Sequence, residues 1–135
     1  MAHYTVHTRR ISDPVVWSAS FHFVAAALAW CVPAYGLVAT LSSCLSVAWH
    51  IQREPRGLLM TLDYVAAAAW TAVELYLSDS LRERLIVAAL NGAVLWGQRI
   101  SNRCSDYDRG HSLWHVCSSV KSAFVAAAIA RCIVV

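Results

Sequence analysis

Charge is scarce in this chain of 135 residues, and nearly all of its positive charge is arginine. Charged residues make up 14% of the sequence, against roughly a quarter in soluble proteins, and ten of the eleven basic residues are arginines. The chain has no basic run with interleaved aromatic residues, so we expect no binding to nucleic acid. Its five cysteines form no C-x-x-C pair, so we expect neither a disulfide framework nor a cysteine metal site.

Apolar residues are abundant instead. They make up 59% of the chain, and the mean hydropathy is +0.51. A domain this small leaves much of its surface exposed, so it cannot hide so much apolar area inside a water-soluble globule. The composition therefore predicts that lipid is the solvent for much of this surface.

Five apolar stretches follow a polar N-terminal tail of residues 1–13 and are separated by short polar turns. Most are long enough for an α-helix to cross a hydrocarbon core of about 30 Å. The alanine-rich strings FVAAALAW, YVAAAAW and FVAAAIA favour close helix packing. The sequence therefore predicts an all-α fold, a single transmembrane bundle of about five helices over residues 14–135. The stretches cover residues 14–31, 34–51, 58–77, 85–97, and 111 to the C-terminus, and the fourth is shorter unless the preceding RER adds to it.

The first stretch also has features of a secretory signal. Two arginines precede it, and an A-L-A sequence at residues 27–29 is typical of a cleavage site. Ser18, Ser20 and His22 interrupt its apolar core, which favours a retained helix over a cleaved signal.

Arginine placement predicts the orientation in the membrane. With five crossings, seven arginines lie on the side of the N-terminus and three on the other side, which predicts a cytoplasmic N-terminus. The seven are Arg9, Arg10, Arg53, Arg56, Arg99, Arg103 and Arg109, and the three are Arg82, Arg84 and Arg131.

Polar residues from three predicted helices converge near the N-terminal side. His50 ends the second helix, and Ser46 lies one turn deeper on the same face. Asp63 is about six residues into the third helix, or about 9 Å at the rise of an α-helix. His111 and His115 lie in the first turns of the last helix. We therefore expect these side chains at one membrane level.

Each of these residues also has a simpler interpretation. A pair of histidines four apart at a helix start is often interfacial, and a buried helix serine such as Ser46 commonly bonds to the carbonyl of Ser42. Asp63 is more informative, because an ionisable group within a membrane helix is a functional candidate by default. Together, three imidazoles, one carboxylate and one hydroxyl match a catalytic zinc site, which has three protein ligands and an open position for water. Zinc lowers the pKa of such a water to about 7.

The order and spacing of these residues resemble the CREST superfamily of membrane proteins. Ser46-x-x-x-His50, Asp63 in the next helix and His111-x-x-x-His115 in the last helix carry the resemblance. The superfamily includes alkaline ceramidases, the adiponectin and progestin receptor family, and GPI-anchor-remodelling lipases. The resemblance implies that the three histidines bind zinc and that the serine and the aspartate hold the metal-bound water. It also implies hydrolysis of a lipid amide or ester.

The chain departs from that family in its number of helices. Members usually have seven helices, and this chain is predicted to have five. Losing a pair of helices keeps the direction of the last helix, so the site can survive, but the substrate chamber loses part of its wall. Two alternatives therefore stay open: a receptor or scaffold in which zinc only joins helices, and a haem protein with two axial histidines on facing helices.

For three other polar residues we favour structural interpretations. Lys121 lies deep in the last helix and is expected to face the bundle interior, toward Asn91, with contact to a substrate as the alternative. Glu74 is expected at the membrane boundary far from the histidines. His22 is a candidate ligand, substrate contact or hydrogen-bonded packing residue, and we favour packing. The tail histidines, His3 and His7, receive no role.

Overall fold

The computed structural model describes residues 8–54 and 56–131, and all the helices and contacts below refer to these residues. They contain α-helices and one short 3-10 helix but no strand. The tail histidines His3 and His7 lie outside the described residues, as do residues 132–135. The elements are α1 (Pro14–Ala19), a 3-10 turn (Ser20–His22), α2 (Phe23–Leu28), α3 (Pro33–Ile51), α4 (Leu58–Tyr76), α5 (Leu81–Ser101) and α6 (Tyr107–Arg131).

Five helical segments result, because α1, the 3-10 turn and α2 follow one another without a break. The prediction of an all-α helical bundle is confirmed. The fourth segment is longer than its apolar core suggested, since α5 begins at Leu81 and includes the RER residues. Ser80 and Glu83 form a capping box at this start, which satisfies two backbone N–H groups that would otherwise lack partners.

The first segment changes its helical pitch where its polar residues lie. The hydroxyl of Ser18 donates to the carbonyl of Val15 at 3.0 Å, and that of Ser20 donates to Trp17 at 2.6 Å. Such side-chain bonds to the backbone compete with regular helix bonds. A 3-10 turn therefore separates α1 from α2 at the residues that interrupt the apolar run.

Small residues form much of the core between α2, α3 and α6. Ala25 of α2, Ala29 directly after it, Ala39 of α3 and Ala126 of α6 are completely buried. Alanine lets helix backbones approach closely, which is how membrane helices gain packing energy. Two of the three alanine-rich strings therefore pack as expected, whereas the middle one, on α4, is exposed at residues 67–69.

Three helices are long and apolar enough to cross a membrane: α3, α4 and α6. Large apolar side chains such as Leu37, Val65 and Val120 are exposed on their outer faces, as lipid contact requires. The segment Pro14–Leu28 is apolar but shorter, and α5 carries three charged residues in its first turn. The crossing of all five segments therefore stays a prediction.

The N-terminal segment, the end of α3 and the start of α6 meet at one end of the bundle. The backbone N–H of Arg9 donates to the carbonyl of Ile51 at 2.8 Å. The guanidinium of Arg9 also pairs with Asp13 at 3.0 Å and with Asp108 at 2.9 Å. Burial would lower the pKa of Arg9, but the hydrogen bonds to Asp108 and Asp13 outweigh it and raise this pKa. The cluster holds these three parts of the chain together.

Candidate metal centre

Three buried histidines meet at this same end of the bundle. His50 comes from the last turn of α3, and His111 and His115 come from the first turns of α6. One ring nitrogen of each lies within 4.8 Å of the others, and none of the three residues is more than 2% exposed. Their ring centroids are 4.7 to 5.1 Å apart, which leaves no room for a flat macrocycle such as haem between them.

Hydrogen bonds outside the cluster orient two of the rings. The Nδ1–H of His50 donates to a carboxylate oxygen of Glu54 at 2.8 Å. The Nδ1 of His111 lies 3.4 Å from the hydroxyl of Ser101, and that hydroxyl donates to the carbonyl of Gln98 at 2.9 Å, so the imidazole is the donor to Ser101. With Nδ1 protonated in both rings, the Nε2 lone pairs are left for the interior of the cluster. Metal-binding histidines are held in the same way, because the hydrogen bond at the outer ring nitrogen fixes the tautomer and the orientation of the ring.

The inner nitrogens have a donor chemistry that fits a metal ion. His111 Nε2 and His115 Nδ1 are buried and have no hydrogen-bond partner among the described residues. The Nε2 atoms of His50 and His115 lie 2.8 Å apart, whereas ligands of tetrahedral zinc lie about 3.3 Å apart, given Zn–N bonds near 2.0–2.1 Å. If the rings of His50 and His115 moved slightly apart, zinc would fit between their Nε2 atoms, and it would also give His111 Nε2 a partner.

Glu54 belongs to this centre although sequence reasoning placed it in a polar turn. Its carboxylate accepts from His50 through Oε1 and from the hydroxyl of Tyr107 through Oε2 at 2.5 Å. The guanidinium of Arg9 lies 3.8 Å from Oε1 of Glu54. Burial would raise the pKa of Glu54, but the hydrogen bonds from His50 and Tyr107 lower it overall. A charged carboxylate therefore faces the outer side of His50.

The local backbone explains how Glu54 reaches back to His50. Arg53 and Glu54 both have φ of 60°, the left-handed conformation that side-chain-bearing residues rarely adopt. The N–H of Arg53 donates to the carbonyl of His50, and that of Glu54 donates to Trp49, both at 3.0 Å. These bonds turn the chain back over the end of α3. The spacing of four between His50 and Glu54 was the signal in the sequence, but the contact depends on the left-handed backbone at Arg53 and Glu54, which the sequence does not indicate.

Ser46 and Asp63 line a cavity beside the histidine cluster. The cavity has a volume of about 360 Å³, and His115 forms part of its wall together with these two residues. Asp63 is buried and comes from α4, whereas Ser46 comes from α3. The structure thus brings the three predicted ligands together and places the two predicted catalytic residues on the wall of the adjoining cavity.

The cavity opens sideways between α4 and α5. Its lining residues Tyr64, Ala67 and Leu95 are themselves exposed. Helix α4 packs mainly against α3 and makes little contact with α5. This side of the cavity is therefore open to the surroundings of the protein.

His22 lies next to the cluster without belonging to it. Its Nδ1 contacts the carbonyl of Ala19 at 3.0 Å, and its Nε2 contacts the hydroxyl of Ser118 at 3.1 Å. Both ring nitrogens are thus engaged, as expected for a hydrogen-bonded packing residue.

Glu74 lies in the last turn of α4, so its position at the membrane boundary stays a prediction, but it is fully buried in the bundle and is not an exposed interfacial residue. It pairs with Lys121 at 2.7 Å and also accepts a hydrogen bond from the side-chain amide of Asn91 at 3.0 Å. Lys121 faces the interior as expected, but its partner is Glu74 and not Asn91. The position of a residue in the sequence gives its depth along a helix. It does not show which residue of another helix lies opposite and supplies the counter-ion.

Comparisons with protein-family models, curated proteins and solved structures found no match to this chain. The resemblance to the CREST superfamily therefore stays a prediction that rests on five residues and on their arrangement.

Proposed function

We propose that the chain is a zinc-dependent integral-membrane hydrolase that cleaves an amide or ester bond in a lipid. The observation that carries this proposal is the adjacency of two features. His115, one of the three clustered imidazoles, lines a cavity whose wall also contains Asp63 and Ser46.

Zinc is the metal that suits this donor set. Imidazole nitrogens favour borderline-soft ions, whereas magnesium and calcium prefer oxygen ligands. Three protein ligands leave one position free, as in catalytic zinc sites. When bound, zinc would polarise a carbonyl group and activate water at neutral pH.

Asp63 is proposed as the general base and acid. It lies on the cavity wall, where its carboxylate can take a proton from the attacking water and return one to the leaving amine or alcohol. The hydroxyl of Ser46, on the same wall, would donate a hydrogen bond to the water or to the oxygen that develops negative charge. The two residues come from different helices, so the packing of α3 against α4 sets their separation.

The opening between α4 and α5 supports a lipid as the substrate. Four apolar side chains of α4 and α5, those of Ala67, Ala68, Val94 and Leu95, line this part of the cavity beside several polar ones and would hold an acyl chain. The scissile bond would then lie at the end occupied by His115 and Asp63. We further propose that the N-terminus and the histidine cluster face the cytoplasm, because the arginine-rich loops lie on that side.

Metal analysis and an activity assay test the proposal together. Purified protein should contain about one zinc per chain and should release fatty acid from a panel of ceramides and phospholipids in liposomes. Protein that holds zinc fully but hydrolyses nothing in the panel would instead favour a receptor or scaffold with a structural zinc.

A further inference from the structure

The cavity has a second polar region, formed around the chain's single lysine. Lys121 Nζ lies 2.7 and 3.0 Å from the two carboxylate oxygens of Glu74. Their side chains are 10% and 1% exposed, respectively. The same carboxylate also accepts hydrogen bonds from Tyr35 at 3.3 Å and from Asn91 at 3.0 Å. Four helices thus contribute to this group, which we call the lysine subsite: Tyr35, Glu74, Asn91 and Lys121.

The lysine subsite is neutral overall but keeps a free donor. An ammonium group has three N–H donors, and among the described residues both of its acceptor atoms belong to Glu74. Lys121 also lines the cavity. At least one N–H of Lys121 is therefore left for whatever occupies the cavity at this point.

The charge balance decides which ligand chemistry suits that donor. An anion would add a net negative charge beside Glu74 in a buried, poorly solvated place, which is costly. An uncharged oxygen adds no charge and satisfies the N–H. The neutral acceptor that a lipid carries along its chain is a hydroxyl group.

The distance between the two ends of the cavity sets where that hydroxyl must lie. Lys121 follows His115 by six residues on α6, or about 9 Å along the helix. Apolar residues such as Ala67 and Val94 line the cavity as well and suit a methylene chain. We infer that the lysine subsite binds a hydroxyl group carried in mid-chain by the lipid, about 9 Å from the carbonyl at the histidine end. The inference rests on the proposed lipid substrate.

Competitive binding to Asp63→Asn protein tests this, because that variant is expected to bind without turning over its ligand. Trp70 and Trp114 line the cavity, so a brominated fatty amide that enters it should quench tryptophan fluorescence. The competitors are three fatty amides of equal chain length: one without a hydroxyl, one with it in mid-chain, and one with it at the chain end. The mid-chain compound should displace the quencher at a concentration about two- to tenfold lower, as expected for one hydrogen bond.

A double variant isolates the subsite. Glu74→Gln with Lys121→Met removes the ammonium together with its counter-ion, so no buried charge is left unpaired. It should bind the plain amide as before and lose the preference for the mid-chain hydroxyl. The matched control is Glu83→Gln with Arg82→Met, which removes the same kinds of group from the exposed start of α5 and should keep the preference.

Two results would overturn the inference: equal displacement by all three amides in protein with an intact lysine subsite, or a preference that survives in the double variant. The first comparison stands even if the double variant does not fold. The hydrolase proposal fails separately. If the variant prefers the mid-chain hydroxyl but the unsubstituted protein cleaves no lipid, the subsite stands and the hydrolase proposal fails. If the unsubstituted protein cleaves lipid but the variant shows no preference, the hydrolase proposal stands and the subsite fails.

Discussion

Glu54 accepts a hydrogen bond from the Nδ1 atom of His50 at 2.8 Å, on the side of the imidazole that faces away from the histidine cluster. The two residues are four apart, yet they are joined across the end of α3 by a backbone that adopts an uncommon conformation at Arg53 and Glu54. Such a conformation persists only where surrounding contacts enforce it, and it is concentrated at functional sites. The contact fixes the tautomer of His50 and so leaves its Nε2 as the atom that faces His115.

We expect Glu54→Ala to weaken zinc binding by about 10- to 100-fold, the usual effect of losing an outer partner of a metal-bound histidine. Glu54→Gln should have a smaller effect, because the amide oxygen still accepts from Nδ1. Competition with a chelator measures the affinity. Asp79→Ala, an exposed carboxylate in the loop at the other end of α4, is the control. If Glu54→Ala binds zinc as tightly as the unsubstituted protein, Glu54 does not support His50 as a zinc ligand.

Replacing a proposed ligand should have a stronger effect than replacing its histidine neighbour. His111→Ala and His115→Ala should lose zinc and melt at a lower temperature, because a metal that joins α3 and α6 contributes to folding. His22→Ala should keep zinc, since both of its ring nitrogens are engaged elsewhere. Zinc content and thermal melting are measured on the same preparations. Full zinc occupancy in either ligand variant contradicts the proposed centre.

Asp63→Asn separates catalysis from metal binding. The variant should keep zinc and fold, since Asp63 is outside the group of three ligands, but lose hydrolysis by about 10²- to 10⁴-fold, the usual contribution of positioned acid–base catalysis. Fatty-acid release is measured beside zinc content. Retained activity would leave the enzyme in place and refute only the role of Asp63.

The pair of Lys121 and Glu74 should behave as one unit in stability measurements. Lys121→Met alone should lower the free energy of unfolding by about 3–5 kcal/mol, because it leaves a buried carboxylate without its counter-ion. Adding Glu74→Gln should recover most of that loss. A double-mutant cycle in denaturant measures the coupling, and additive losses would show that the pair is not coupled.

Cysteine labelling can count the crossings around α4 and α5. In a background without native cysteines, Arg56→Cys and Arg103→Cys should label from one side of the membrane and Asp79→Cys from the other. Labelling of positions 79 and 103 from the same side would show that α5 does not cross. Labelling of positions 56 and 79 from one side would remove the crossing of α4.

The helical fold could be predicted because lipid leaves few alternatives. Within a hydrocarbon core every backbone N–H and C=O needs a partner inside the protein, so long apolar stretches become helices. Depth along these stretches could be read from residue counts, which is why Ser46, His50 and Asp63 could be assigned to one level before their contacts were known.

Partners supplied by another helix could not be predicted in the same way. Glu74 looks interfacial by depth but is buried, because Tyr35, Asn91 and Lys121 meet it from three other helices. Glu54 was missed because its position depends on two residues with left-handed backbone. Such backbone is usually indicated in a sequence by glycine or asparagine, and neither residue is present at these two positions. Both cases depend on rotation and backbone conformation, which apolar periodicity does not determine.

The short first segment has a consequence for the surrounding bilayer. Pro14–Leu28 comprises 15 residues and reaches about 24 Å at the rises of the α- and 3-10 helix, below the hydrocarbon thickness of about 30 Å. The predicted crossing by this segment would produce a hydrophobic mismatch, which is met by local thinning of the bilayer or by flanking side chains that reach outward. Lipids with short acyl chains should therefore suit this face of the protein better than long-chain, sterol-rich ones, and a thin membrane is where the bundle should be most stable.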